Sequence, residues 1–231
     1  MKTAILTGSS KGIGHALLKK LLSLDYKVYG LSRTFQSPQK NFIPVTCDLL
    51  NTDNLVETIK SIESKEAKKI HLLINNAGVG FFGPHEEINV TNIQTMLRTN
   101  LEVPLILSHL LLRTLKKTKG RIVSVSSVTA KKVSTHGCAY SSSKAGLSHF
   151  HTSLFEEVRK AGVKVTTIHP DMTKSNFYDN LNFTYEDGED TVLFEEQIAD
   201  ALEYVLTASE NLVVNNITLR PQKNRIKRKN K

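Results

Sequence analysis

Short β-branched, apolar runs alternate with helix-periodic stretches from one end of this chain to the other. No other feature constrains the fold as much. The runs predict strands over 3–7, 27–31, 42–46, 70–75, 121–125, 164–169 and 213–219. Between them, 12–23 carries Ile13, Ala16, Leu17 and Leu21 at helical spacing, and 53–64 carries Leu55, Ile59 and Ile62. Further helices are predicted over 92–117, 139–161 and 195–208. A strand that must cross over a helix before the next strand pairs in parallel, and the helices then cover both faces of the sheet. Right-handed crossovers wind such a sheet in both directions from its centre. The expectation is therefore one α/β domain, a Rossmann-like, doubly wound, seven-stranded parallel sheet over residues 1–220. A chain of 231 residues supports one such core, and no repeat or linker divides it. The least regular stretch is 176–191. A loop that long inside a compact domain usually serves a function.

Charge and cysteine content narrow the setting. The net charge is +9, yet seven cations and no acid lie in residues 220–231, which leaves +2 for the rest. Residues 221–231 are expected to be a basic, flexible, solvated tail. Nothing aromatic is interleaved there, so nucleic-acid binding is not expected. The two cysteines, Cys47 and Cys138, offer neither a disulfide framework nor metal-ligand spacing, which fits a reducing cytoplasm. The most apolar stretch, 101–112, is broken by Glu102, Pro104, Ser108 and His109. It falls short of the roughly 18 apolar residues a membrane span requires. The first residues run straight into a strand and lack signal-peptide architecture.

Thr7-Gly8-Ser9-Ser10-Lys11-Gly12-Ile13-Gly14 follows the first predicted strand and opens the first helix. Glycines in such a turn permit a tight bend and bring backbone N–H groups close to a pyrophosphate at a helix N-terminus. Gly8, Ser10, Lys11, Gly12, Ile13 and Gly14 are the candidates for that contact. An acid at the end of the second strand would mark NAD by accepting from a ribose hydroxyl. Ser32 and Arg33 stand in that place instead, with Lys11 as a second cation. A guanidinium suits a 2′-phosphate, so NADP(H) is expected over NAD(H). Asp48, followed by Leu49, is a candidate for the adenine amino group or a helix cap.

Tyr140 and Lys144 stand four apart in a predicted helix and share a face. A fixed ammonium near a phenol favours phenolate, and the expectation is a lowered Tyr140 pKa.

Four elements occur in one order: TGxxxGIG at 7–14, Asn75-Asn76-Ala77-Gly78, Ser127, and Tyr140-x-x-x-Lys144. Together they resemble the short-chain dehydrogenase/reductase family in its single-domain form, over residues 2–220. The resemblance implies a catalytic set of Asn100, Ser127, Tyr140 and Lys144, with Asn100 holding a water that relays protons through Lys144. It sets Asn76, Ala77 and Gly78 beside the adenosine half of the cofactor, and Pro170, Thr173 and Ser175 at the nicotinamide. Lys144 and Tyr140 would also reach the cofactor. It implies a hydride transfer between NADP(H) and a carbonyl or alcohol, in the manner of a 3-oxoacyl reductase, and a homodimer or homotetramer built on the helices at 92–117 and 139–161. An NAD-linked dehydrogenase and a non-catalytic dinucleotide sensor are the alternatives. Asp171 departs from the family's usual glycine, and the chain lacks the family's glycine-rich ending. Phe81, Phe82, Met172, Phe177, Tyr178 and Phe183 are candidates for a substrate wall, with 176–191 as a lid. His136 and Cys138 are expected to be loop or wall, and His169 a packed strand residue.

Overall fold

The computed structural model describes residues 1–34, 36–67, 69–188, 190–223 and 225–229. The elements run β1 Lys2–Thr7, α1 Gly12–Ser23, β2 Tyr26–Ser32, β3 Phe42–Thr46, α2 Thr52–Lys65, β4 Leu72–Asn75, α3 Val90–Leu97, α4 Val103–Thr118, β5 Arg121–Val125, α5 Cys138–Val158, β6 Lys164–Pro170, β7 Phe183–Tyr185, α6 Glu195–Thr207, β8 Asn216–Leu219 and β9 Ile226–Arg228. Seven strands form a sheet in the order β3-β2-β1-β4-β5-β6-β8, and every pairing in it is parallel. This is the expected doubly wound arrangement, with its switch of winding direction between β1 and β4.

The pleat explains why both faces must be covered. Ala4 and Leu6 of β1 join one core, while Ile5 joins the other. β4 repeats the pattern, with Leu72 and Ile74 on the first face and Leu73 on the second. Leu17, Leu18 and Leu21 of α1 and Ile198, Leu202 and Val205 of α6 seal the first face. Leu55 and Ile59 of α2, Leu107, Leu111 and Leu115 of α4, and Leu154 and Val158 of α5 seal the second. Burying one such leucine stabilises the fold by about 2 kcal/mol. All seven strands point one way, so the loops after β1, β4, β5 and β6 open on one edge.

Two expectations are corrected. The helix predicted over 92–117 is interrupted by a π turn at Arg98–Glu102, where the Val103 N–H reaches the Arg98 carbonyl. Pro104 has no N–H to offer the Asn100 carbonyl four residues back, so the regular ladder cannot close there. The basic tail is not a frayed end throughout. β9 pairs antiparallel with β7, joining Phe183 to Arg228, Thr184 to Lys227 and Tyr185 to Ile226. Lys231, one of the tail's cations, lies outside the described residues.

Candidate active site

The turn after β1 is held by close packing. Gly8 and Gly12 have φ of 69° and 62°, a region that favours glycine. A Cβ on Gly14 would fall 1.8 Å from the Gly8 carbonyl oxygen, so α1 meets the turn without room for any side chain. Asn76, just past β4, donates from Nδ2 to the carbonyls of Thr7 (3.0 Å) and Gly8 (3.2 Å). The Thr7 hydroxyl accepts from the N–H groups of Asn76 and Ala77, both at 3.0 Å. The two predicted cofactor segments, 8–14 and 76–78, are thus fastened to each other. Ser10 and Ile13 are half-buried in this turn, and Lys11 is exposed beside them.

At the end of β2, Ser32 is buried and donates to the Thr34 carbonyl at 2.8 Å. Arg33 is exposed. Asp48 accepts from the Leu50 N–H at 3.1 Å and shapes its own turn, and Leu49 packs into the core. The cap of α2 is Asn51, not Asp48.

Asn100 is fully buried in the π turn. Its Oδ1 accepts from the Val79 N–H at 2.9 Å, and its Nδ2 donates to the Val79 carbonyl (2.8 Å) and the Ser143 hydroxyl (3.0 Å). The carboxamide therefore clamps the loop after β4 to α5. Lys144, 4 % exposed, donates from Nζ to the Val125 carbonyl at 2.9 Å. A Cβ on Gly78 would lie 3.2 Å from Lys144 Nζ and 3.3 Å from Asn100 Oδ1. Gly78 is the gap through which the loop approaches both groups. Ser127 follows β5, and its Oγ accepts from the Thr129 N–H at 3.2 Å. His169, buried at the end of β6, has Nδ1 3.2 Å from the Ser127 carbonyl and Nε2 2.9 Å from Asn216 Oδ1. It is a packed strand residue that braces the Ser127 backbone.

The electrostatics run against the expectation for Tyr140. Burial pushes its phenol up to about 12, opposed by the hydrogen bond with Ser127. Burial also brings the Lys144 ammonium down to about 8. Lys144 Nζ stands 5.9 Å from the Tyr140 ring centroid and donates to the Val125 carbonyl. Desolvation outweighs the attraction on which the lowered value rested, because aromatic rings cover the phenol. Phe82 packs at 5.0 Å and Phe177 at 5.8 Å from the Tyr140 ring, both tilted to it. Phe183 meets Phe82 at 5.2 Å, and Tyr178 meets Phe177 at 5.3 Å and Phe183 at 5.9 Å. Burial, and then Tyr140 beside it, push the Tyr178 phenol above its ordinary value.

Four of the six predicted wall residues are in this cluster. Phe81 makes no ring contact with it among the described residues, and its N–H points to Met96 Sδ at 3.3 Å. Met172 is buried. Tyr185, 5.8 Å from Tyr178, belongs to the cluster and is absent from the predicted wall. The alternation Phe183-Thr184-Tyr185 was the available signal.

Pro170, the last residue of β6, is buried; beyond it the Thr173 hydroxyl donates to the Asp171 carbonyl at 3.0 Å, and the Ser175 hydroxyl accepts from the Phe177 N–H at 3.4 Å. A Cβ on Gly12 would lie 3.7 Å from Ser175 Cβ, so this loop approaches the glycine turn. Asp171 is accounted for. Its carboxylate accepts from Arg220 Nε at 3.1 Å and lies 3.6 Å from Lys132 Nζ, tying the end of β6 to the end of β8. His136 is exposed with φ of 61°, and Cys138 is exposed at the start of α5. Among the described residues no group of His, Cys, Asp or Glu could hold a metal ion, and no helix is long and apolar enough to cross a membrane.

This glycine turn, sheet topology and Ser-Tyr-Lys grouping define a dinucleotide-dependent oxidoreductase. The family model for short chain dehydrogenases matches residues 2–186, and the chain belongs to that family. It is 34% identical over 189 residues to the 3-oxoacyl-(acyl-carrier-protein) reductase FabG of Buchnera aphidicola subsp. Acyrthosiphon pisum, covering 78% of this chain and 77% of that one. It superimposes on an alcohol dehydrogenase of the archaeon Thermococcus sibiricus complexed with 5-hydroxy-NADP, with a TM-score of 0.88 at 22% identity, covering 97% of this chain and 98% of the other. A metagenomic short-chain oxidoreductase in complex with NADP gives a TM-score of 0.80 at 25% identity, covering 95% and 97%. The chain is an NAD(P)-dependent oxidoreductase acting on CH–OH groups.

Proposed function

We propose that this protein is an NADP(H)-dependent carbonyl reductase. The observation that carries the reading is the buried Tyr140 phenol, with the Lys144 ammonium 5.9 Å from its ring. A phenol held at about 12 is protonated at neutral pH, which suits a group that gives a proton to a developing alkoxide. The nicotinamide, when bound, supplies the hydride. Ser127 donates a hydrogen bond to the substrate oxygen, and Tyr140 delivers the proton to it. Lys144, close to its own pKa of about 8, is the reservoir that restores that proton. Asn100 holds the loop at Gly78 and Val79 in register with Lys144. The residues present fit a dinucleotide: Gly8, Ser10, Gly12, Ile13 and Gly14 form a tight turn, with Gly8 and Gly12 at positive φ and no room for a side chain at Gly14, at the N-terminus of α1 where a pyrophosphate binds. Asn76 and Ala77 bond to the Thr7–Gly8 end of that turn and Ser175 lies beside Gly12, which supports reading them, with Gly78, Pro170 and Thr173, as the cofactor's border and Asp48 and Leu49 as its adenine end. Arg33, exposed at the end of β2 where no carboxylate stands, and Lys11, exposed in the glycine turn, support NADP(H) over NAD(H).

The test is NADPH oxidation across a panel of carbonyl compounds, starting with 3-oxoacyl thioesters in view of the 34%-identical relative. Tyr140→Phe is expected to abolish turnover while NADPH still binds, and Arg33→Ala to weaken NADPH binding more than NADH binding. Near wild-type reduction by the phenylalanine variant would show that Tyr140 is not the proton donor. Ile106 and Leu110 of α4 and Phe150 and Phe155 of α5 are only partly buried, which supports a homodimer or homotetramer through these helices. Its mass in solution would decide that.

A further inference from the structure

Lys223 and residues 225–229 bear on the active site in three ways. First, β9 is the sole described partner of β7, the strand that carries Phe183 and Tyr185 into the aromatic wall. The ladder is extended at both ends: the Glu186 N–H donates to the Arg225 carbonyl (3.3 Å) and the Lys229 N–H to the Asn182 carbonyl (2.9 Å). Second, the cations of the segment meet the acids of the loop. Lys223 Nζ lies 2.6 Å from Asp190, and Arg225 Nη1 lies 3.3 Å from Glu186. These exposed pairs contribute little strength, but they match the segment to this loop. Third, the Lys229 ammonium donates to the carbonyls of Tyr178 and, at 3.0 Å, Asp179. Those carbonyls end the short turn Asn176–Tyr178, and a cation is favoured at such an end. The turn carries Phe177, whose ring packs tilted against Tyr140 at 5.8 Å.

A two-stranded ribbon is marginal in water without packing on one face. Phe183 and Tyr185, both on one face by the period of two, pack on Phe82 and Tyr178. Ribbon and wall therefore hold each other. Lys229 acts twice, through its N–H on the ribbon and through its ammonium on the Phe177 turn.

We infer that the basic segment is a strap that sets the substrate wall, and that Lys229 is a positioning residue for the aromatic face over Tyr140. The strap selects carbonyl compounds with a flat apolar group to lie on Phe177 and Phe183. The selectivity part rests on the carbonyl-reductase reading; the strap itself does not.

The test uses the full chain with Lys229→Ala, Lys229→Arg and Lys229→Pro. Hydrogen exchange at the Glu186 amide reads the ribbon without any turnover. The proline variant, which lacks the N–H, is expected to lose protection there while the amides of β1 and β4 keep theirs. In kinetics, the KM for acetophenone is expected to rise about tenfold in the alanine and proline variants, the scale of a lost aromatic pair. The KM for butanone, which is too small to use the wall, and the affinity for NADPH are expected to stay unchanged, and Lys229→Arg to restore the acetophenone value. An unchanged exchange rate at Glu186 in the proline variant overturns the strap. An unchanged acetophenone KM in a variant that has lost that protection overturns its role in selectivity. Failure of the wild-type chain to oxidise NADPH with any carbonyl would count against the reductase reading and leave the exchange result standing.

Discussion

Replacing Lys144 by methionine should make this protein more stable while removing its activity. Lys144 is 4 % exposed, and its burial brings its pKa from 10.5 to about 8. Each tenfold loss in proton affinity is worth about 1.4 kcal/mol, so keeping the ammonium charged at pH 7 costs roughly 3 kcal/mol. Methionine has a similar length and carries no charge. It forfeits the hydrogen bond to the Val125 carbonyl, a loss of about 1 kcal/mol. The net gain expected at pH 7 is about 2 kcal/mol, a trade of stability for function. The pH dependence makes the reasoning specific. Below pH 8 the lysine is protonated both folded and unfolded, and the penalty is constant. Between pH 8 and 10.5 the unfolded chain binds the extra proton, so wild-type stability from this group rises with pH. The advantage of Lys144→Met should therefore shrink by about 1.4 kcal/mol per pH unit across that window. Urea unfolding of both proteins from pH 7 to 10 measures it, and other titrating groups cancel in the difference. A variant no more stable than wild type at pH 7, or an advantage that does not change with pH, would refute the buried-charge argument.

Gly14→Ala should cost several kcal/mol and the affinity for dinucleotide, because its Cβ would meet the Gly8 carbonyl at 1.8 Å and backbone cannot yield cheaply; thermal unfolding and NADPH titration check it. Gly78→Ala should fold, since its contacts at 3.2 and 3.3 Å demand shifts of tenths of an ångström, yet lose at least about tenfold in kcat through the displaced Lys144 and Asn100. Steady-state kinetics beside a melting curve separates the two effects. Asn100→Ala should destabilise by about 1–3 kcal/mol, as it removes three hydrogen bonds of a fully buried carboxamide and leaves the half-buried N–H and carbonyl of Val79 without it; chemical denaturation reads it.

Much of the fold was legible in order along the chain. Seven strands follow from short β-branched runs, and the strands near 72 and 216 merely start later than the pattern suggested. The glycine turn was legible because a steric need for glycine is local. The Tyr140–Lys144 pair was legible because helical spacing is local too. Pro104 was in view as well, and its missing N–H explains the π turn that an apolar periodicity cannot show. The charge on Tyr140 was not legible. Its pKa depends on how much water the surrounding rings exclude, and Phe82 and Phe177 reach it from other loops.

By itself the sequence determined the parallel sheet, the glycine turn at 8–14 and the shared helix face of Tyr140 and Lys144, since each rests on short-range geometry or on residue type; Ser127 was singled out only by the family resemblance. Only the tertiary structure decided what surrounds them. Asn100 proved to clamp Val79 and Ser143, Asp171 to bind Arg220, and Lys229 to hold a turn 51 residues earlier in the chain. The physical reason is the same in each case. A side chain's partners and its share of water are set by segments that only folding brings together. A run of basic residues therefore reads as a loose end until the acidic loop it straps is folded against it.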